Sequence, residues 1–166
     1  MDLPTLVRAE KRIPGNVQWV LRDPRWLALT ASVDIDGVTV AGLSIRGKAL
    51  LSYPEGAVTL QLQFQAARGK AQHLVRAEWK PIKPHTNSGR GPADWRFKSI
   101  PGSHIHRFDD NYLEHEHRMY AGAQQSAVPL PEIVDSYERF LEFCGKEFRV
   151  NNMDVLPAPP WQPRML

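Results

Sequence analysis

Hydrophobic and polar residues alternate through the first half of the chain and shift to a three-to-four spacing near its end. Val58, Leu60, Leu62 and Phe64 alternate with Thr59, Gln61 and Gln63, the pattern of a strand with one buried and one polar face. Residues 17–21 and 26–35 alternate less regularly and read as two earlier strands. Asp36-Gly37 stands between Val33-Asp34-Ile35 and Val38-Thr39-Val40. That pair predicts a two-residue hairpin, because a type I′ turn needs positive φ at both central positions. The next strand spans 38–45 and breaks near Arg46-Gly47, with 48–53 following and Pro54-Glu55-Gly56 turning the chain. Residues 72–79 make one more strand before Pro81. The expected arrangement is an antiparallel meander with one covered face and one wet face.

The second half is punctuated differently. Residues 81–102 are rich in Pro, Gly, Ser, Asn and Lys, a loop long enough to carry function. Residues 104–108 read as a short strand and 109–127 mostly as loop. Ile133, Tyr137, Phe140, Leu141 and Cys144 follow helical spacing, predicting an amphipathic helix over 131–144 with its apolar stripe on the sheet. Pro131 and Glu132 suit its first turn, and Gly145 suits the left-handed residue past its end. Phe148 and Val150 read as a closing strand. The expected fold class is therefore α+β, an antiparallel β-meander with one main C-terminal helix packed on one face. Residues 1–154 form the expected single domain. Residues 155–166 form a proline-rich tail, extended along the surface with Trp161 tucked in, or free.

Composition narrows the classes. The chain has 166 residues, 42% of them hydrophobic and 23% charged, which fits a globular domain with a real core. No apolar run approaches the ~20 residues a spanning helix needs, and the N-terminus carries no secretory pattern. The single cysteine excludes an intrachain disulfide framework and fits a reducing compartment. A soluble cytoplasmic protein with no membrane partner is expected. The net charge of +3 is unevenly placed: residues 65–107 hold nine Lys or Arg against two acids, and residues 108–154 hold four against ten. The basic segment either meets an anionic partner or faces the acidic part of its own domain.

Candidate chemistry gathers in the same region. All six histidines lie between His73 and His117. Strand positions two apart share a face, so His104 and His106 would project together, able to share a metal or flank a phosphodiester. The plainer alternative leaves one in solvent and packs the other against the sheet. Glu114-His115-Glu116-His117 reads as a solvated charge run. No zincin spacing and no paired cysteines occur, so the sequence demands no metal and names no cofactor. Arg76, Lys80, Lys83, Arg90, Arg96 and Lys98 interleave with Trp79, Trp95 and Phe97, a composition used by single-strand nucleic-acid binders. Its alternative is that Trp79 and Phe97 are core residues among ordinary surface cations. No Walker loop, dinucleotide-binding glycine pattern or G-x-S-x-G elbow is present. Cys144 reads as a core residue.

The order of strands, Pro84-His85-Thr86-Asn87, Gly102-Ser103-His104-Ile105-His106 and then a helix resembles a group of small bacterial proteins without an established activity. More distantly it is similar to TumE-type toxins of toxin–antitoxin pairs. The resemblance covers residues 75–144. It implies that Arg76 holds the place of a strand arginine, His85 and Asn87 that of a Pro-His-x-Asn loop, and His104 and His106 that of a paired-histidine segment. Ala77-Glu78 stands where that group has Leu-Asp. The toxin likeness implies action on RNA.

Three functions follow as expectations. One is an RNA-directed phosphodiesterase, toxin-like, with His85, His104 and His106 exchanging protons and Arg76 or Arg107 holding the phosphate. The second is a non-catalytic module whose basic loop, with Lys80, Lys83, Arg90, Trp95, Arg96 and Lys98, binds nucleic acid or an acidic protein. The third is a metal-binding or purely structural protein. Everything depends on whether three imidazoles from separate stretches meet beside Arg76.

Overall fold

A computed structural model describes residues 1–163, so the last three positions of the expected tail lie outside the described residues. A short helix, α1 (Leu3–Arg8), is capped by the Asp2 carboxylate, which accepts from the Thr5 amide. Five strands follow: β1 (Val20–Leu21), β2 (Trp26–Ile35), β3 (Val38–Leu50), β4 (Val58–Phe64) and β5 (Gln72–Trp79). The loop after β5 carries a two-strand flap, β6 (His85–Thr86) paired with β7 (Ser99–Ile100). Next come β8 (His104–His106), α2 (Phe108–Asn111), the small ribbon of β9 (Tyr112–Leu113) and β10 (Arg118–Met119), β11 (Val128–Pro129) and α3 (Tyr137–Phe148). The main sheet has seven strands in the order β1-β2-β3-β4-β5-β8-β11, and every neighbouring pair is antiparallel. This is the expected α+β meander with a helix on one face. No helix among the described residues is long and apolar enough to cross a membrane.

Asp36 and Gly37 have φ of 51° and 75°, and Ile35 pairs with Val38 across them as the hairpin requires. The break expected at Arg46-Gly47 is absent, and β3 runs through it. Gly47 lies in the strand because its neighbours need the room. A Cβ there would come within 2.8 Å of the Trp19 ring. In the 17–21 segment only Val20 and Leu21 pair, while Val17 and Trp19 are buried.

The helix begins and ends later than its spacing suggested. Ser136, not Pro131, caps α3 by accepting from the Arg139 amide. Ile133 is 86% exposed and lies outside the helix. Gly145 is inside it, and Arg149 (φ 56°) takes the left-handed terminal position. Phe148 belongs to the last turn rather than a strand, and Val150 makes only an isolated bridge to Lys11. Phe140, Leu141, Phe143, Cys144 and Phe148 are buried. They close the core against Leu29, Ile45, Leu60, Ala77 and Ile105 of the sheet. Burial pushes the Cys144 thiol up, leaving it an inert core residue. Trp79 stacks on Phe140 at 5.8 Å and donates from its indole to the Val134 carbonyl.

Two ties hold the ends of the chain. Lys11 is buried, and its ammonium donates to the carbonyls of Val7, Ala9 and Phe148, satisfying the C-terminal end of α3. Burial draws its pKa down to about 8. The tail lies on the body, with the Pro157 carbonyl accepting from Trp19 and Tyr137 and Trp161 set edge-on to Tyr137. Phe140→Ala is expected to destabilise the fold by about 3–5 kcal/mol through the cavity it leaves, read as a drop in the urea midpoint.

Candidate functional site

Residues directly opposite in an antiparallel pair point to the same face. The observed register therefore lays two parallel rows across the face away from α3. One runs Thr30, Arg46, Gln61, Arg76, His106, and the other Ala28, Lys48, Thr59, Glu78, His104. Hydrogen bonds run along both: Arg46 donates to the Thr30 hydroxyl, the Thr59 hydroxyl to Glu78, and Arg76 to His106. At the β3–β5 end the face is an open groove of about 720 Å³ lined by Arg25, Trp26, Arg46, Lys48, Arg76 and Lys83 with the single acid Glu78. Lys48 sits over the Trp26 ring at 4.2 Å.

At the β8 end the same face is roofed. His104 and His106 are 1% and 0% exposed although they belong to the polar rows, because the flap lies over them and brings His85 onto their rings. The centroid distances are 5.4 Å from His85 to His104, 4.7 Å from His85 to His106 and 5.2 Å from His104 to His106. Buried Asn87 pins the flap. Its amide donates to the Trp95 and Ala127 carbonyls and its carbonyl accepts from the Ala127 amide. Asn111 fastens the neighbouring residue in the same manner, donating to Ser126 O and accepting from Ser126 N.

The ring nitrogens are not equivalent. His104 Nδ1 lies 2.9 Å from the Gly102 carbonyl and Nε2 lies 2.5 Å from Glu78 Oε2, so both face acceptors. His106 Nε2 accepts from Arg76 at 3.0 Å, with Glu78 Oε2 at 3.6 Å. His106 Nδ1 and His85 Nε2 are buried with no partner. Burial draws His106 down to about 4. Burial and then the charge of His104 lower His85, so both rings are neutral near pH 7. For Glu78, burial opposes ionisation, but the hydrogen bond from His104, the nearby His106 ring and the Arg76 charge prevail and hold its carboxyl well below the usual range.

The structure thus brings His85, His104, His106 and Arg76 together. Arg107 faces the other way and pairs with Glu147 of α3 at 2.9 Å, the one ion pair between the basic segment and the acidic part among the described residues. The remaining expected binding residues scatter. Lys83 lines the groove, Lys80 lies over Trp79 and Arg90 over Tyr120, and Lys98 over half-buried Trp95. Arg96 donates to the Gly91 carbonyl. Trp79 is core, whereas Phe97 is 77% exposed. His115 and His117 are exposed beside the Glu116–Arg118 ion pair, as a solvated charge run should be. His73 lies under Gly122, with its Nδ1 unpartnered.

No family model, curated protein or solved structure matches this chain. Its site is therefore read from geometry alone. A larger hollow, about 1030 Å³, lies beside α3, where Glu10, Glu138, Glu142 and Asp154 mix with Lys146 and Arg149. It collects none of the unpartnered buried nitrogens. Sequence reasoning missed Glu78, Arg25, Trp26, Arg46 and Lys48. Placing Arg46-Gly47 at a strand break hid the period of two that carries Arg46 and Lys48 onto the rows of Arg76 and Glu78 respectively.

These groups set a pH dependence. A folded-state His pKa below its unfolded value means the unfolded chain takes up more protons as pH falls. Stability held by neutral His106 is therefore present above about 6.5 and lost down to about 4, worth about 3 kcal/mol for a shift of that size. Urea melts with a chelator present should show this loss between pH 7 and 4, and a smaller one in His106→Gln.

Proposed function

We propose that this protein cleaves RNA phosphodiester bonds, with the strand in the cationic groove and the reaction at the roofed histidines. The observation that carries this reading is the row Arg46–Gln61–Arg76–His106, a track of cations that ends on an imidazole. Arg46, Lys48 and Lys83 neutralise successive phosphates, and the Trp26 ring offers a stacking surface for a base. Arg76 touches His106 and lines the groove, so it is the group placed to hold the scissile phosphate and the charge that develops on it. Glu78 faces the groove beside it and fixes His104.

RNA suits an open groove of this kind because single strands present unstacked bases and a 2′-hydroxyl that can itself attack the adjacent phosphate. A growth-inhibiting ribonuclease is the form of this activity implied by the likeness to TumE-type toxins. The simplest two-histidine proton relay is a poor fit to the imidazoles. Both nitrogens of His104 are taken by acceptors, and the free nitrogen of His106 is buried. His85, half-exposed on the flap, is the imidazole best placed to meet a substrate.

Purified protein is expected to cleave single-stranded RNA, with activity lost in Arg76→Ala and His85→Ala while both variants keep the wild-type circular dichroism. Unchanged cleavage in either variant, or none by the wild type with or without divalent metals, would end the reading. RNA affinity should also fall steeply with salt, and Lys48→Ala should reduce the slope of log K against log salt by about 1. Salt-dependent binding without cleavage would leave the groove as a binding surface for nucleic acid.

A further inference from the structure

We infer that His85, His104 and His106 form a binding site for one divalent transition-metal ion of the zinc class. One ligand nitrogen from each residue lies within 4.8 Å of the other two. Two of the available nitrogens, His85 Nε2 and His106 Nδ1, are buried with nothing to bond. His106 is wholly inaccessible, so no solvent rearrangement at the surface relieves it. Leaving a buried polar atom unpaired costs about 1–3 kcal/mol, and both of these atoms belong to rings of the one cluster. An ion there would satisfy both.

The surroundings match what imidazole ligands need behind them. A ligating histidine usually donates its second N–H to a carboxylate or a backbone carbonyl, which fixes the tautomer and ring orientation. Either nitrogen of His104 can turn to the ion and leave the other an acceptor: Glu78 stands behind Nε2 and the Gly102 carbonyl behind Nδ1. With His106 Nδ1 on the ion, its remaining proton moves to Nε2, 3.6 Å from Glu78 Oε2, and Arg76 shifts toward the groove. With His104 Nδ1 on the ion, Glu78 would serve two of the three ligands.

Imidazole donors select zinc, cobalt, nickel or copper over magnesium and calcium, which take oxygen. Three protein ligands leave a fourth position open, the pattern of reactive rather than structural zinc sites. At metal–nitrogen distances of about 2.0–2.1 Å, tetrahedral ligands lie roughly 3.4 Å apart, so the rings must draw together. His104 and His106 are fixed on the sheet. His85 rides on the flap, and its movement would supply most of the closure. The purpose of the ion rests on the phosphodiesterase reading, in which it would act as a Lewis acid beside Arg76; its binding does not.

The test uses full-length protein without a histidine tag, stripped with a chelator and titrated with Co²⁺. The expected result is one ion per chain with the visible absorption of a four-coordinate cobalt centre, bleached by Zn²⁺. His85→Ala, on the flap and outside the main sheet, should weaken Co²⁺ affinity at least tenfold. Glu78→Gln should weaken it by about 10–100-fold as an orienting partner. His115→Ala/His117→Ala should leave it unchanged. No absorption, a stoichiometry well below one, or affinity unaltered by His85→Ala would overturn the inference, as would loss of binding in the His115/His117 variant. Cobalt binding without RNA cleavage by the zinc-loaded protein would sink the phosphodiesterase reading alone. Cleavage that persists in chelator by protein that takes up no cobalt would sink the metal site alone.

Discussion

The pairing of β5 with β8 is the constraint from which the site follows. Their register sets Arg76 opposite His106 and Glu78 opposite His104, with Ala77 and Ile105 between them on the other side. Ala77 and Ile105 are wholly buried in the core, so a slip of one residue would send the two histidines into hydrocarbon and Ile105 into the polar rows. The apolar packing under α3 therefore fixes where the ionisable groups stand. Fold and chemistry are decided by the same set of hydrogen bonds.

The second constraint is the roof. An imidazole on an open sheet face would be solvated and would titrate near neutrality. The flap removes water from His104 and His106, which keeps His106 uncharged and makes its ionic neighbours matter more. Glu78 stays ionised in this setting because His104 and the Thr59 hydroxyl hydrogen-bond to it and the Arg76 charge stands close by. Across the rest of the face the charge is positive and exposed. The result is a sharp boundary, with a wet cationic groove on one side of Arg76 and Glu78 and a buried cluster of imidazoles on the other.

Much of the sheet was legible because alternation is a local property. The strands over 26–35, 58–64 and 72–79, the Asp36-Gly37 turn and the sheet's helical cover all follow from patterns a few residues long. The misreadings have physical causes. Gly47 looks like a breaker until Trp19, nearly thirty positions earlier, is seen to need the space above it. The start of α3 was drawn at Pro131 because Ile133 continued the stripe, but Ser136 provides the better cap and Trp79 claims the Val134 carbonyl. For the site, proximity of the histidines in sequence gave the candidates, while Asn87, read from a motif, turned out to be the clasp that sets His85 in place. The groove was hidden because its cations come from two strands, β3 and β5, and from the loops before β2 and after β5, and no single stretch of sequence contains it.

Two of the three clustered imidazoles belong to the sheet, and the third arrives on a short hairpin held chiefly by one asparagine. Swinging that hairpin outward would dismantle the cluster while leaving every strand of the main sheet paired. The molecule therefore completes its histidine cluster with a part separable from its scaffold. Drift in some twenty loop positions can retune or erase the chemistry without touching the framework that makes the chain fold.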